Sequence, residues 1–89
     1  AENPARRFNL AHRKGRLVVG ADADLVVIDP TARTTFRAQS QLSRAGWTPY
    51  EGRTVRGAVT RTIVRGVDVF GDGEVVAAQG FGQFVAGVA

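Results

Sequence analysis

At 89 residues the chain is one small domain at most, and its 44% hydrophobic and 22% charged residues set it apart from disordered chains. The absence of cysteine excludes both a disulfide framework and a thiolate zinc site. The net charge of +4 comes from eleven arginines and one lysine against eight acids, and the arginines are spread from Arg6 to Arg65, which reads as a solvated face rather than a nucleic-acid site.

In chain order, Asn3-Pro4 reads as a helix start, with asparagine as the cap and proline preset for the first helical position. Ala5 to Phe8 would form the helix, and Asn9 suits its left-handed end. Residues 1–14 are thus expected to be a short helix and a linker. From Gly15 the texture becomes strand-like: Arg16-Leu17-Val18-Val19 and Asp24 to Asp29 are valine-rich runs bounded by glycine, aspartate and proline. Leu25 to Ile28 should be covered on both faces, and Asp29-Pro30 should end the strand. A further strand is expected over Thr34 to Ala38, then a loop to Gly52 with Trp47 and Tyr50 as aromatic anchors, then a strand from Arg53 to Thr60. Thr62-Ile63-Val64, Arg65-Gly66 and Val67 to Phe70 spell a two-residue hairpin, closed by Gly71-Asp72-Gly73. The β segment therefore spans 15–73. The small, glycine-rich tail of 74–89 is expected to be partly ordered at best.

No apolar run approaches the roughly 20 residues of a membrane span, and AENPARRF lacks the order of a secretion signal. The expectation is a soluble, cytoplasmic chain without a membrane partner. The sole histidine, His12, is flanked by Arg13 and Lys14, whose charge disfavours a metal cation. Ser40 and Ser43 have no GxSxG elbow. Asp22 and Asp24 would share a strand face, but the pattern continues neither as a calcium loop nor towards a downstream glutamate. The reading preferred for Asp22 is an Asx turn that fixes the entry into the strand, so that its replacement should damage folding. Neither GxGxxG nor GxxxxGK[ST] occurs, and the aromatic residues lack the spacing of a base-stacking platform. No catalytic, cofactor-binding or metal-ligating residue is assigned.

Asn3-Pro4-Ala5-Arg6-Arg7-Phe8, Lys14-Gly15-Arg16-Leu17 and Gly20 to Pro30, read in that order, resemble the C-terminal end of the cyclic amidohydrolases, the family of dihydroorotases, hydantoinases and allantoinases. Thr48-Pro49-Tyr50-Glu51-Gly52-Arg53 and Thr62-Ile63-Val64-Arg65-Gly66 extend the resemblance to about Phe70, and their wording is most similar to allantoinase. Asn9 stands where family members usually show glycine. The tail has no evident counterpart.

The resemblance implies a mainly β fold: the C-terminal part of a small β-sandwich built from both chain ends, preceded by a short helix from the edge of a (β/α)8 barrel. Such a barrel needs upward of about 200 residues, and the family's binuclear zinc ligands lie in it. Lys14 does not correspond to the family's bridging lysine. The chain itself is expected to be inactive and without a cofactor, in a parent that hydrolyses allantoin to allantoate with a metal-bound hydroxide. Its expected partners are the parent's N-terminal strands and barrel, and further copies of itself through open sheet edges. The alternatives are a dihydroorotase or hydantoinase segment, or a stand-alone β interaction module without activity.

Overall fold

A computed structural model describes residues 1–89, with α1 (Glu2–Arg7), β1 (Leu25–Thr35), a 3-10 turn (Ala38–Ser40), β2 (Thr54–Val64), β3 (Val67–Gly71) and β4 (Glu74–Val75) in chain order. The strands form one sheet in the order β1-β2-β3-β4, antiparallel from β2 to β4. This is the mainly β fold with one short helix that the sequence implies. No helix is long and apolar enough to cross a membrane. Two units divide the chain, one of residues 1–27 with 60–89 and one of residues 28–59.

In the first unit, α1 starts earlier than expected. Ala1 is the N-cap and makes no side-chain cap bond, so Asn3 does not cap the helix. Pro4 still falls in the first turn, where a missing N–H costs no intrahelical bond. The C-terminal end follows the expectation: Asn9 is left-handed at φ 58°, its N–H bonds Arg6 O at 3.2 Å, and Leu10 N–H bonds Ala5 O at 2.7 Å. These two bonds make a Schellman motif, which a residue tolerant of positive φ permits. Ala5, 5% exposed, is the one buried hydrophobic residue of the chain. Gly15 covers it at φ 94°, so close that a Cβ on Gly15 would lie 2.7 Å from the Ala5 Cβ.

Arg16 to Val19 is not a strand. The segment turns back on itself, with Ala21 N–H on Val18 O and Asp22 N–H on Arg13 O, and Leu17 and Val19 are left in solvent. No strand of this chain offers it a ladder. The hairpin is confirmed, with Val64 opposite Val67, and both turn residues are left-handed: Arg65 at φ 48° and Gly66 at φ 77°. That is a type I′ turn, whose twist matches the flanking strands. Asp72-Gly73 repeats the device at φ 52° and 79°, so Gly71-Asp72-Gly73 does not end the sheet but turns β3 into β4. β2 runs unbroken from Thr54, with its one register shift between Thr62 and Ile63.

In the second unit, Pro30 does not end β1. The strand lies at the sheet edge, where proline is tolerated, and continues to Thr35, which absorbs the separate strand expected from Thr34. Asp29 Oδ1 accepts the Thr31 N–H and hydroxyl at 2.9 and 2.8 Å and the Ala32 N–H at 3.3 Å, which serves donors just beyond the proline. Thr34 Oγ1 donates to Gly57 O at 2.7 Å. The loop closes through Phe36 N–H on Arg53 O and Gly52 N–H on Phe36 O, with Tyr50 5.7 Å from the Phe36 ring. Trp47, expected to anchor the loop, stays exposed.

Val26 and Val27 point to opposite faces of β1, and both are about half exposed, so the two-sided cover expected for Leu25 to Ile28 is missing. Accessible surface makes the same point: the chain exposes 7210 Å², where a folded monomer of its 9.5 kDa exposes about 5,000 Å².

Two glycine substitutions separate backbone strain from packing. Gly20, at φ 95° with no atom near its missing Cβ, should cost about 1 kcal/mol on change to alanine. Gly15→Ala should cost about 1–3 kcal/mol more through the collision with Ala5, read as the difference in urea midpoints at constant m.

Candidate functional site

The polar residues that converge in this chain are those of Gly20 to Asp24, with partners drawn from before and after them. A chain reversal between Arg13 and Asp22, closed by the Asp22 N–H to Arg13 O bond of 2.9 Å, brings Arg13 and Lys14 onto the two aspartates. Asp22 Oδ1 accepts from Arg13 Nε at 3.2 Å, and the buried Oδ2 lies 2.9 Å from Arg13 Nη2 and 2.7 Å from Lys14 Nζ. Asp24 Oδ2 pairs with the same Lys14 Nζ at 2.5 Å. Asp22 is therefore not the acceptor of an Asx turn. It is one end of an ion-pair cluster.

Asp24 does more. Its second oxygen, Oδ1, accepts the N–H of Arg65 at 2.9 Å, and Gly66 N–H donates to Ala23 O at 3.0 Å. The two left-handed residues of the hairpin turn thus direct their N–H groups onto the dipeptide that opens β1. One of these N–H groups meets the Asp24 carboxylate and the other the Ala23 carbonyl.

Lys14 holds the Asp22 carboxyl below its ordinary 3.8, with Arg13 adding to the effect, and holds Asp24 down together with the Arg65 N–H. In return Asp22 and then Asp24 raise the Lys14 ammonium above 10.5. Asp29 is also lowered, by the Thr31 hydroxyl and then by backbone N–H groups.

Beside the cluster is a cleft of about 310 Å³ walled by Gly15, Leu17, Lys14 and the two aspartates. Each charged group of the cluster is paired with another member, and Arg16 adds a further cation to the lining. No group of three or more histidine, cysteine, aspartate or glutamate side chains is placed to hold a metal ion. His12 is exposed in a turn. Ser40 Oγ donates to Arg37 O, and Ser43 Oγ accepts the Ala45 N–H, so neither serine has a histidine to activate it. A second hollow, of about 460 Å³ in the other unit, is lined by Ile28, Phe36, Val55, Ala58 and Val59 and carries only Arg56 as a charged group.

A family described as "Amidohydrolase family" matches residues 1–70. The chain belongs to that family. Among curated relatives, an L-hydantoinase of Paenarthrobacter aurescens is 44% identical over 94% of this chain, and a D-phenylhydantoinase of Escherichia coli is 39% identical over 92%. The solved L-hydantoinase (dihydropyrimidinase) of Arthrobacter aurescens superposes with a TM-score of 0.89 over 96% of the chain, and a Thermus D-hydantoinase with 0.83 over 89%. This amidohydrolase chain spans only 18% of the length of either curated relative and 17–19% of the solved structures. It is a segment's worth of such a protein. Its DADLV motif is the staple of that segment, and the partners that make it one, Arg13, Lys14 and Arg65, were signalled in the sequence only by their charge and by the hairpin glycine.

Both carboxyls are lowered on folding, so their stabilisation is complete above the unfolded value near 3.8 and is lost as pH falls through the folded values below it. Lys14 is raised, so its share is complete below 10.5 and disappears as pH rises through its higher folded value. Stability measured across pH should be flat between these limits, and Asp22→Asn should reduce the acid slope. Asp24→Asn keeps an acceptor for Arg65 N–H and loses the charge; Asp24→Ala loses both and should be less stable than Asp24→Asn by about 1 kcal/mol.

Proposed function

We propose that this chain is the C-terminal, non-catalytic sandwich segment of a hydantoinase-like cyclic amidohydrolase, a metal-dependent enzyme that opens the C–N bond of a cyclic amide. The observation that carries this reading is the combination of bare apolar strand faces with a self-paired ion cluster: Val26, Val27 and Ile28 are exposed while Asp22 and Asp24 are balanced by Arg13 and Lys14. A segment of this kind contributes a surface to a larger fold.

The wording of Thr48 to Arg53 and Thr62 to Gly66 resembles allantoinase, but relatives at 44% and 39% identity bear hydantoinase names, and hydantoinase takes its place in this proposal. Both readings concern five-membered cyclic amides. The residues of this chain do not fit the zinc pair expected of the family, and no step of the reaction is assigned to them. Lys14 in particular is held as a cation by two aspartates, the opposite of the neutral amine that a carbamate-forming lysine must present. The parent's remaining strands are the proposed cover for β1, in a cytoplasmic enzyme that self-associates.

The whole gene product should open 5-alkyl- and 5-arylhydantoins faster than allantoin, the 5-ureido member of the same ring class, and the 89-residue chain alone should turn over neither. Ring opening followed at equal enzyme concentration decides both points. A preference for allantoin would restore the allantoinase reading, and turnover with stoichiometric zinc by the isolated chain would place the catalytic centre here after all.

A further inference from the structure

Arginine is an unexpected choice for the first position of a type I′ turn, where asparagine, aspartate and glycine are favoured because φ is positive. Arg65 accepts that steric cost at φ 48°. Its backbone N–H is fixed by Asp24 Oδ1, and its side chain goes the other way: the guanidinium lies 4.3 Å from the centroid of the Phe81 ring, and Nη2 donates to Phe81 O at 2.5 Å. From Phe81 the chain continues to the C-terminal end of α1. There Val88 N–H donates to Asn9 O at 3.0 Å, and Gly87 packs so closely on Phe8 O that a Cβ would lie 2.5 Å from it. The tail thus runs from the hairpin turn to the Schellman end of the helix, touching down at both.

We infer that Arg65 is a two-ended latch, held by Asp24 through its backbone and fastening residues 81–88 as a strap across the first unit through its guanidinium. The hold needs no carboxylate: Arg65 has no ion-pair partner, and the tail carries no charge after Glu74. A charged ring contact and a charge-assisted hydrogen bond to a carbonyl are short-ranged, so added salt should leave the strap in place while it weakens the Lys14 cluster. This inference is independent of which amide the parent opens.

Amide hydrogen exchange on the whole 89-residue chain separates the two ends of the latch. Arg65→Asn supplies a residue better suited to the turn and removes the guanidinium; Phe81→Ala removes the ring and leaves the turn untouched. In both variants the Val88 amide, the tail amide bonded to Asn9 O, should exchange roughly tenfold faster or more, as expected for loss of the ring contact and the charged hydrogen bond, while those of Ile63 to Val69 keep their protection. Unchanged tail protection in both variants would show that something else holds the strap. Loss of protection in hairpin and tail together in Arg65→Asn would show that Arg65 serves only the turn. Either result overturns the latch.

Discussion

The Asp24 carboxylate is the constraint on which the order of the first unit rests. One oxygen holds Lys14, and through it Asp22 and Arg13; the other holds the Arg65 N–H at the hairpin turn. Three stretches distant in sequence, the linker after α1, the opening of β1 and the β2–β3 turn, are thereby fixed to one side chain. Such a junction is normally made by apolar packing. Here Ala5 is the only buried hydrophobic residue, and charge-assisted bonds take over part of the task. Their partial exposure limits what each contributes, because solvent screens a pair that it can reach. Their number and directionality set the geometry even where their energies are small.

The same balance accounts for the perturbed groups of this amidohydrolase segment. Lowered carboxyls and a raised lysine beside a cleft are features that elsewhere mark active sites. They lose that meaning once each group's perturbation is traced to another member of the same cluster, since structural ion-pair networks shift titrations in the same directions. The strands tell the complementary story. Side chains alternate faces along β1, yet Val26 and Val27 are both exposed, so neither face of the strand is covered within these residues. Val26, Val27 and Ile28 stay exposed in a chain that spans 18% of its curated relatives.

Local chemistry was legible in the sequence and partnership was not. Asn9 at a helix end and Arg65-Gly66 between two apolar runs each demand a backbone conformation that few residues adopt, and both were found as read. Asp29-Pro30 does not end the strand because proline's effect depends on place: it stops an interior strand, whereas β1 is an edge strand and Asp29 serves the donors that follow. Arg16 to Val19 has the composition of a strand, but a strand needs a neighbour, and none is available. Asp22 meets Arg13 and Lys14 instead of the backbone N–H groups of an Asx turn, since nothing in a linear pattern reveals that the chain reverses between Arg13 and Asp22 to bring their side chains together.

The two aspartates of the opening motif also divide their labour in a way that a paired-carboxylate reading obscures. Asp22 closes a local loop, nine residues back to Arg13, whereas Asp24 reaches 41 residues forward to Arg65. The cost of ordering a loop grows only slowly with its length, so the longer closure demands little more entropy than the shorter, yet it fixes the pairing of distant strands. Asp24 is the more consequential residue for that reason, although Asp22 has the more buried side chain and the larger share of cations. The two aspartates meet at Lys14 Nζ, and the residue between them takes part as well: Ala23 O accepts the Gly66 N–H, so that the motif joins the hairpin turn through backbone and side chain together.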